Sequence, residues 1–246
     1  MSDSLVIIPT YNEKENIELI LHDIFSLEKE FHVLIIDDDS PDGTVDIVRR
    51  LQKKYTDKLH LICRHGKLGL GTAYIEGFKY ALRNQYEYIY EMDADFSHSP
   101  KDLINLWKAC HDEGYDLAIG SRYKTGVNVV NWPIGRVLVS YFASRYVQFI
   151  TGMPVNDATA GFKCYRRKVF DLVNLDKIKF VGYAFQIEMK FKTWKHGFKI
   201  TEVPIIFINR ERGVSKMSTR IFKEAVFGVI KMKMYSIFHK YKQAYT

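Results

Sequence analysis

Asp93 and Asp95, separated only by Ala94, follow the strand-like run Tyr88-Ile89-Tyr90 and precede Ser99-Pro100, where a helix can begin. Two carboxylates this close at the end of a buried strand raise each other's pKa unless a cation lies between them. A divalent ion is the usual remedy. Hard oxygen ligands suit Mg²⁺ or Mn²⁺, and phosphate oxygens often complete their shells. The pair therefore points to a metal–diphosphate site. A D-x-D triplet alone is a common surface turn, so the inference depends on what the other strand ends carry.

Those ends carry similar chemistry. Leu5-Val6-Ile7-Ile8 reads as a buried strand that runs into Pro9-Thr10-Tyr11-Asn12-Glu13. Asn12 is placed as the N-cap of the next helix, with Glu15 in the capping-box position. Val33-Leu34-Ile35-Ile36 is a second buried strand, ending at Asp37-Asp38-Asp39-Ser40-Pro41-Asp42-Gly43-Thr44. Three adjacent aspartates exceed what a helix cap requires. Leu59-His60-Leu61-Ile62-Cys63 is a third strand. The glycine-rich loop after it holds Gly69-Leu70-Gly71, but Tyr74 leaves G-x-G-x-x-G incomplete. Its glycines suit a tight turn and close helix packing. A strand at Leu117-Ala118-Ile119-Gly120 then delivers Ser121-Arg122-Tyr123. Alternating strands and helices predict an α/β fold with a mostly parallel sheet, and such sheets bind ligands beyond their strands' carboxyl ends. Tyr11, Glu13, the three aspartates, Asp93, Asp95 and Arg122 all fall at that edge.

The second half differs. Residues 129–153 mix aromatic and apolar side chains with Arg136 and Arg145 on several faces, as expected of a helix shared between protein and lipid headgroups. Residues 156–165 read as a loop entering a strand, and a helix opens after Gly182. Residues 200–208 are strand-like, with Pro204 placing them near a sheet edge. Residues 221–241 form an amphipathic, cationic helix, expected either to lie on a membrane surface or to dock on the protein.

The totals bound these readings. At 246 residues, 47% of them hydrophobic, the chain suffices for one large domain. Its first apolar run is too short for a secretory leader, and no run approaches the ~20 apolar residues of a membrane span. Cys63, Cys110 and Cys164 lack metal spacing and read as reduced thiols, so a cytosolic location is expected. The net charge of +7 divides unevenly: residues 1–120 hold 13 Lys and Arg against 22 Asp and Glu, residues 121–246 hold 23 against 7. An acidic half can gather a metal, and a basic half suits an anionic partner.

The segments from Val6 to Glu13 and from Asp37 to Thr44, with Met92-Asp93-Ala94-Asp95, resemble the GT-A glycosyltransferases of family 2. Gly69-Leu70-Gly71-Thr72-Ala73-Tyr74, Phe96-Ser97-His98-Ser99-Pro100, Gly120-Ser121-Arg122-Tyr123, Gly182-Tyr183-Ala184-Phe185-Gln186-Ile187-Glu188-Met189 and the stretch from Val203 to Lys216 narrow the resemblance to dolichol-phosphate (polyprenol-phosphate) mannosyltransferases. That resemblance covers the chain to about residue 220. It implies a GT-A catalytic domain over residues 1–220, with 1–120 for nucleotide sugar and metal and 121–220 for the acceptor, then a surface helix over 221–246.

By position, the resemblance places Pro9, Tyr11, Glu13, Ile36 and Asp38 around the guanine nucleoside of GDP-mannose. It places Asp93, Ala94 and Asp95 at the diphosphate, with Asp93, Asp95 and Ser97 toward a Mg²⁺ or Mn²⁺ ion. Arg122, Arg136 and Ser140 match positions for the phosphate of dolichol or polyprenol phosphate, and Arg210 and Lys216 match a loop closing on the donor. The implied protein is a peripheral catalytic subunit on the cytoplasmic face of a membrane, compatible with a separate membrane subunit. Glu188 is assigned a structural role, orienting an Arg or Gln near the site, and Asp157 is assigned support of the acceptor arginines.

Two other readings stand beside this one. A related enzyme would use UDP-glucose or another sugar nucleotide with a lipid phosphate. A nucleic-acid-binding protein would account for the pI of about 9.1 but leaves the acidic strand ends without a use.

Overall fold

The computed structural model describes residues 2–209 and 219–245, apart from the side chains of Tyr183 and of residues 219–225. Its strands are β1 (Ser4–Thr10), β2 (His32–Asp37), β3 (Leu59–Cys63), β4 (Tyr88–Glu91), β5 (Leu117–Ser121), β6 (Val129–Val130), β7 (Lys163–Arg166), β8 (Ile200–Pro204) and β9 (Phe207–Ile208). The helices are α1 (Ile17–Phe25), α2 (Thr44–Gln52), α3 (Leu70–Arg83), α4 (Asp102–His111), α5 (Ile134–Thr151), α6 (Tyr183–Lys195) and α7 (Thr219–Phe238).

Seven strands form one sheet in the order β3-β2-β1-β4-β7-β5-β8, with only β7 antiparallel to its neighbours. A parallel ribbon of β6 and β9 lies apart from it. Both faces of the sheet are covered, which is why β1 and β2 read as unbroken apolar runs. Side chains alternate across a strand, so Leu5 and Ile7 pack on one side with α3 and α6 residues such as Phe78 and Phe185. Val6 and Ile8 pack on the other with Ile20, Leu21, Val48 and Leu106 of α1, α2 and α4.

Two glycines of α3 set its depth. A Cβ on Gly77 would stand 2.6 Å from Ile7 Cγ2, and one on Gly71 would stand 2.9 Å from Phe185 Cγ. Helix α3 thus rests directly on β1 and against α6, as the glycine-rich stretch led us to expect. Tyr74, on the same helix, donates its hydroxyl to the Met92 carbonyl (3.3 Å), supporting the turn after β4 from beneath.

The first helix departs from expectation. It begins at Ile17, not after Asn12, because the 12–14 backbone is held elsewhere. Asn12 N–H donates to Ser40 Oγ, Glu13 N–H to Thr44 Oγ1 and Lys14 N–H to Asp42 Oδ2, at 2.9 to 3.1 Å. These bonds tie the loop after β1 to the loop after β2. Asn12 adopts a left-handed φ of 57° in the process. A 3-10 turn, Arg167–Asp171, follows β7.

Helix α7 docks on α5, where the Tyr146 hydroxyl donates to the Val226 carbonyl and Lys233 Nζ to the Thr151 carbonyl. Val229 and Met232 are buried there, whereas Phe227, Ile237 and Phe238 remain exposed. Helix α5 is exposed along Ile134, Leu138, Phe142 and Phe149, a stripe that Ser144, Val147 and Thr151 oppose on the buried face. No helix among the described residues is long and apolar enough to cross a membrane.

Candidate active site

Parallel pairing brings Thr10 level with Asp37 and Ile7 level with Glu91, so the loops after β1, β2 and β4 open on one edge of the sheet. The three aspartates after β2 divide their roles. Asp37 is fully buried and locks the loop, accepting from Thr10 Oγ1, Ser40 N–H and Ser40 Oγ at 2.7 to 2.8 Å. Asp38 pairs with Arg64, whose Nε lies 2.6 Å from Oδ1. Arg64 also donates to Thr72 Oγ1 and the Gly69 carbonyl, tying Asp38 to the glycine-rich loop. Asp39 is exposed in a left-handed turn with φ 60°. Beside these residues, Pro9, Tyr11 and Glu13 are half-buried, Ile36 is buried, and Lys67 lies over the Tyr11 ring at 4.8 Å. The five positions matched to a nucleoside therefore share one edge, and Arg64, from the loop after β3, joins them through Asp38.

Asp93 is partly exposed, Ala94 and Asp95 are buried, and Phe96 turns the chain with a left-handed φ of 59°. A bulky residue there is uncommon. The turn lets Ser97 N–H donate to Asp95 Oδ1 at 3.1 Å. Ser97 is buried, and its carbonyl accepts from Ile208 N–H of β9. His98 stacks on Phe162 at 4.9 Å, meets Phe207 edge-on, and has Nδ1 4.0 Å from Asp93 Oδ2. Burial lowers its pKa to about 4, with Arg122 acting in the same sense against Asp95. His98 is therefore a neutral packing residue.

Among the described residues no group of three or more His, Cys, Asp or Glu side chains could hold a metal by itself. Two carboxylates at an open edge nevertheless fit Mg²⁺ or Mn²⁺, which is commonly bound through one or two carboxylates plus substrate phosphates. Close approach is possible on the far side, where a Cβ on Gly161 would lie 3.9 Å from Asp93 Oδ2.

Behind this turn lies a charged core. Lys163 and Glu91 are level across the β4–β7 pair and fully buried, with Nζ 3.1 Å from Glu91 Oε1. Gln186 bridges them, accepting from Lys163 Nζ and donating to Glu91 Oε2. Lys190, also fully buried, donates to the Ala160 carbonyl at 2.6 Å. Burial pushes both ammonium groups down, with Glu91 opposing it at Lys163.

Arg122 leaves β5 and is clamped by Asp157. Asp157 Oδ2 accepts from the Arg122 backbone N–H and Nε, and Oδ1 from Nη2, at 2.6 to 3.0 Å. Burial would raise the Asp157 pKa, but the guanidinium charge and these bonds hold it below the usual carboxylate value. Glu202 anchors Asp157 in turn: Oε1 accepts from Asp157 N–H and Ser121 Oγ, and Oε2 from Asn156. The support assigned to Asp157 is thus present in the geometry. Glu188 is structural as assigned, but by another route. It accepts from Lys179 and Phe180 N–H and pairs with Lys192. Gln186 instead pairs with Glu91 and Lys163.

Arg136, in the first turn of α5, donates to Asn209 Oδ1 and lies 4.0 Å from the Trp132 ring centre. The Arg122 guanidinium lies 5.5 Å from the same ring. Ser140, one turn beyond Arg136, is half-buried near the Tyr123 phenol. Arg210 and Lys216 lie outside the described residues.

Acidic side chains thus stand at the ends of the parallel strands β2 and β4, and Arg122 leaves the end of β5. The glycosyl transferase family 2 profile matches residues 5–173, and the chain belongs to that family. It is 45% identical over 226 residues to a polyprenol monophosphomannose synthase of Mycolicibacterium smegmatis, covering 92% of this chain and 85% of the relative. It is 43% identical over 225 residues to an undecaprenyl-phosphate mannosyltransferase of Micrococcus luteus, covering 92% and 91%. Its fold matches a Pyrobaculum calidifontis mannosyltransferase solved with GDP-Man and Mn²⁺, at TM-score 0.55 and 17% identity, covering 96% of this chain and 74% of that one. It also matches glucosyl-3-phosphoglycerate synthase of Mycobacterium tuberculosis, solved with Mn²⁺, UDP and glucosyl-3-phosphoglycerate, at TM-score 0.61 and 15% identity over 95% and 78% of the two chains.

Proposed function

We propose that this enzyme transfers mannose from GDP-α-mannose to the phosphate of a polyprenol or dolichol phosphate, with inversion, giving a β-mannosyl-phosphoryl lipid and GDP. The two relatives above 40% identity support the mannosyl and lipid-phosphate parts of this reading. The observation that carries it in the chain itself is the pairing of an acidic turn at Asp93 and Asp95 with two guanidinium groups, Arg122 and Arg136, around one indole.

The chemistry suits that division. A hydroxyl acceptor must lose a proton in the transition state and needs a base beside it. A phosphomonoester, with a second pKa near ~6, is already a dianion at neutral pH. It attacks without a base, which accords with Glu188 being committed to backbone N–H groups and Lys192. Arg122, Arg136 and Ser140 would hold the acceptor phosphate, and attack opposite the departing GDP gives the β-linkage. Asp93 and Asp95 would hold a Mg²⁺ or Mn²⁺ ion, with Ser97 alongside. That ion supplies Lewis-acid stabilisation of the leaving diphosphate. Pro9, Tyr11, Glu13, Ile36 and Asp38 would bind the guanine nucleoside, with Arg64 fixing Asp38, and Arg210 and Lys216 would close over the diphosphate.

Residues 1–220 then make up the catalytic domain: 1–120 for donor and metal, 121–220 for the acceptor. The exposed apolar stripe of α5, with the outer side of α7 within residues 221–246, would rest on the membrane that holds the lipid. On this reading the enzyme works peripherally, on the cytoplasmic face.

The test is incubation with GDP-mannose, Mn²⁺ and farnesyl phosphate, followed by mass spectrometry of the lipid. A hexosyl adduct that forms with GDP-mannose and not with UDP-glucose supports the assignment. The opposite preference would replace it with the UDP-sugar reading.

A further inference from the structure

Trp132 stands where the chain turns from β6 into α5. Asn131 before it takes a left-handed φ of 60°, and Pro133 after it supplies the carbonyl that accepts from Arg136 and Val137 N–H. A residue preceding proline is itself restricted in backbone conformation. Trp132 is therefore fixed at the mouth of the helix, four positions before Arg136, and its ring meets that guanidinium at 4.0 Å. The Arg122 guanidinium reaches the same ring, at 5.5 Å. Phe207 of β9 packs edge-on against the indole at 5.1 Å and lies 5.5 Å from Arg122. The ring is locked in place by elements remote in sequence.

Two arginines meant for one dianion must be kept near each other when the dianion is absent. Asp157 already holds Arg122; a second carboxylate between the two arginines would add further negative charge against the ligand and take more donors. An aromatic face attracts a guanidinium through its quadrupole and leaves the net charge intact. The indole also carries an N–H that is buried and has no hydrogen-bond partner among the described residues. A buried donor without a partner is costly, and a phosphate oxygen arriving between the arginines would satisfy it.

The geometry points to Trp132 as a positioning residue for the acceptor phosphate: it racks Arg122 and Arg136 on one indole and adds its own N–H as a third donor. This inference rests on the reading that these arginines take the acceptor phosphate. Its specificity is for a phosphomonoester dianion. Donor binding, at the Asp93–Asp95 turn, does not depend on it.

The test separates acceptor from donor. Trp132→Leu, which removes both ring face and N–H, is expected to raise KM for farnesyl phosphate about tenfold, leaving KM for GDP-mannose unchanged. Trp132→Phe keeps an aromatic face and loses the N–H, so its acceptor KM should fall between wild type and Trp132→Leu. A second measurement uses the wild-type protein. Of the three tryptophans, only the Trp132 indole N–H resonance should move downfield as farnesyl phosphate is titrated into ¹⁵N-labelled enzyme, with Trp132→Phe identifying the peak. An unmoved Trp132 resonance at saturating acceptor, or an unchanged acceptor KM in a folded Trp132→Leu, would overturn the inference. Arg136→Ala distinguishes the two levels. If it too leaves acceptor KM unchanged, the placement of the acceptor phosphate is wrong. If it raises that KM while Trp132→Leu does not, only the role of the indole fails.

Discussion

Asp95 and Asp157 are both buried carboxylates, yet their neighbours give them opposite roles. Asp95 accepts from Ser97 N–H at the turn after β4, where the proposed function assigns it to a metal ion. Asp95→Ala should abolish metal-dependent turnover while the circular dichroism spectrum stays that of the wild type. Asp157 is committed to Arg122 by three hydrogen bonds. Removing one partner of a buried pair leaves the other uncompensated, at a cost of about 3–5 kcal/mol. Asp157→Asn should therefore lower stability by several kcal/mol and raise acceptor KM. The pH dependence has a definite sign. The Asp157 pKa is lowered in the folded state, so its contribution is complete above the unfolded value of 3.8 and is lost as pH falls through the lower folded value. Denaturation midpoints below pH 3.8 should fall more steeply for wild type than for Asp157→Asn. The aspartates and Arg122 stand out in the sequence because charge at the end of an apolar run has few structural uses, whereas Arg136 enters the site only through the family resemblance. Glu202, Arg64 and the Lys163–Glu91 pair do not stand out, since each acquires its meaning from a partner far away in the chain.

Elements were legible where their causes are local. The apolar runs of β1 and β2 announce buried strands, and Gly69-Leu70-Gly71 announces a helix packed close to its neighbour, while the closer approach at Gly77 shows only in the fold. Gly77→Ala would force a methyl group to within 2.6 Å of Ile7 Cγ2. Overpacking of this kind costs typically 1–3 kcal/mol, roughly measurable as a shift in urea midpoint with an unchanged slope. The capping box at Asn12 and Glu15 failed for the opposite reason. Its backbone donors are taken by Ser40, Asp42 and Thr44 of a different loop, and such competition has no trace within a local window.

Over the whole molecule, the exposed stripe on α5 runs from Ile134 to Phe149 and continues the helix turn that carries Arg136 and Ser140. Two of the three groups assigned to the lipid phosphate, Arg136 and Ser140, thus share one helix with the exposed apolar stripe. Replacing Phe142 and Phe149 together by serine should reduce co-sedimentation with anionic liposomes and leave turnover of farnesyl phosphate intact. Unchanged sedimentation would assign the stripe to something other than lipid.

The regular βα alternation made the parallel part of the sheet readable, but not the insertion of β7 between β4 and β5. That insertion has a consequence for how the polypeptide is made. While the ribosome has delivered only residues 1–120, the long flank of β4 has nothing to pair with, and β5 has no place to go. The nascent sheet must keep an unpaired apolar flank until residues 163–166 emerge, a state open to edge-to-edge association. A fragment ending at residue 120 should accordingly precipitate on expression, whatever its affinity for nucleotides.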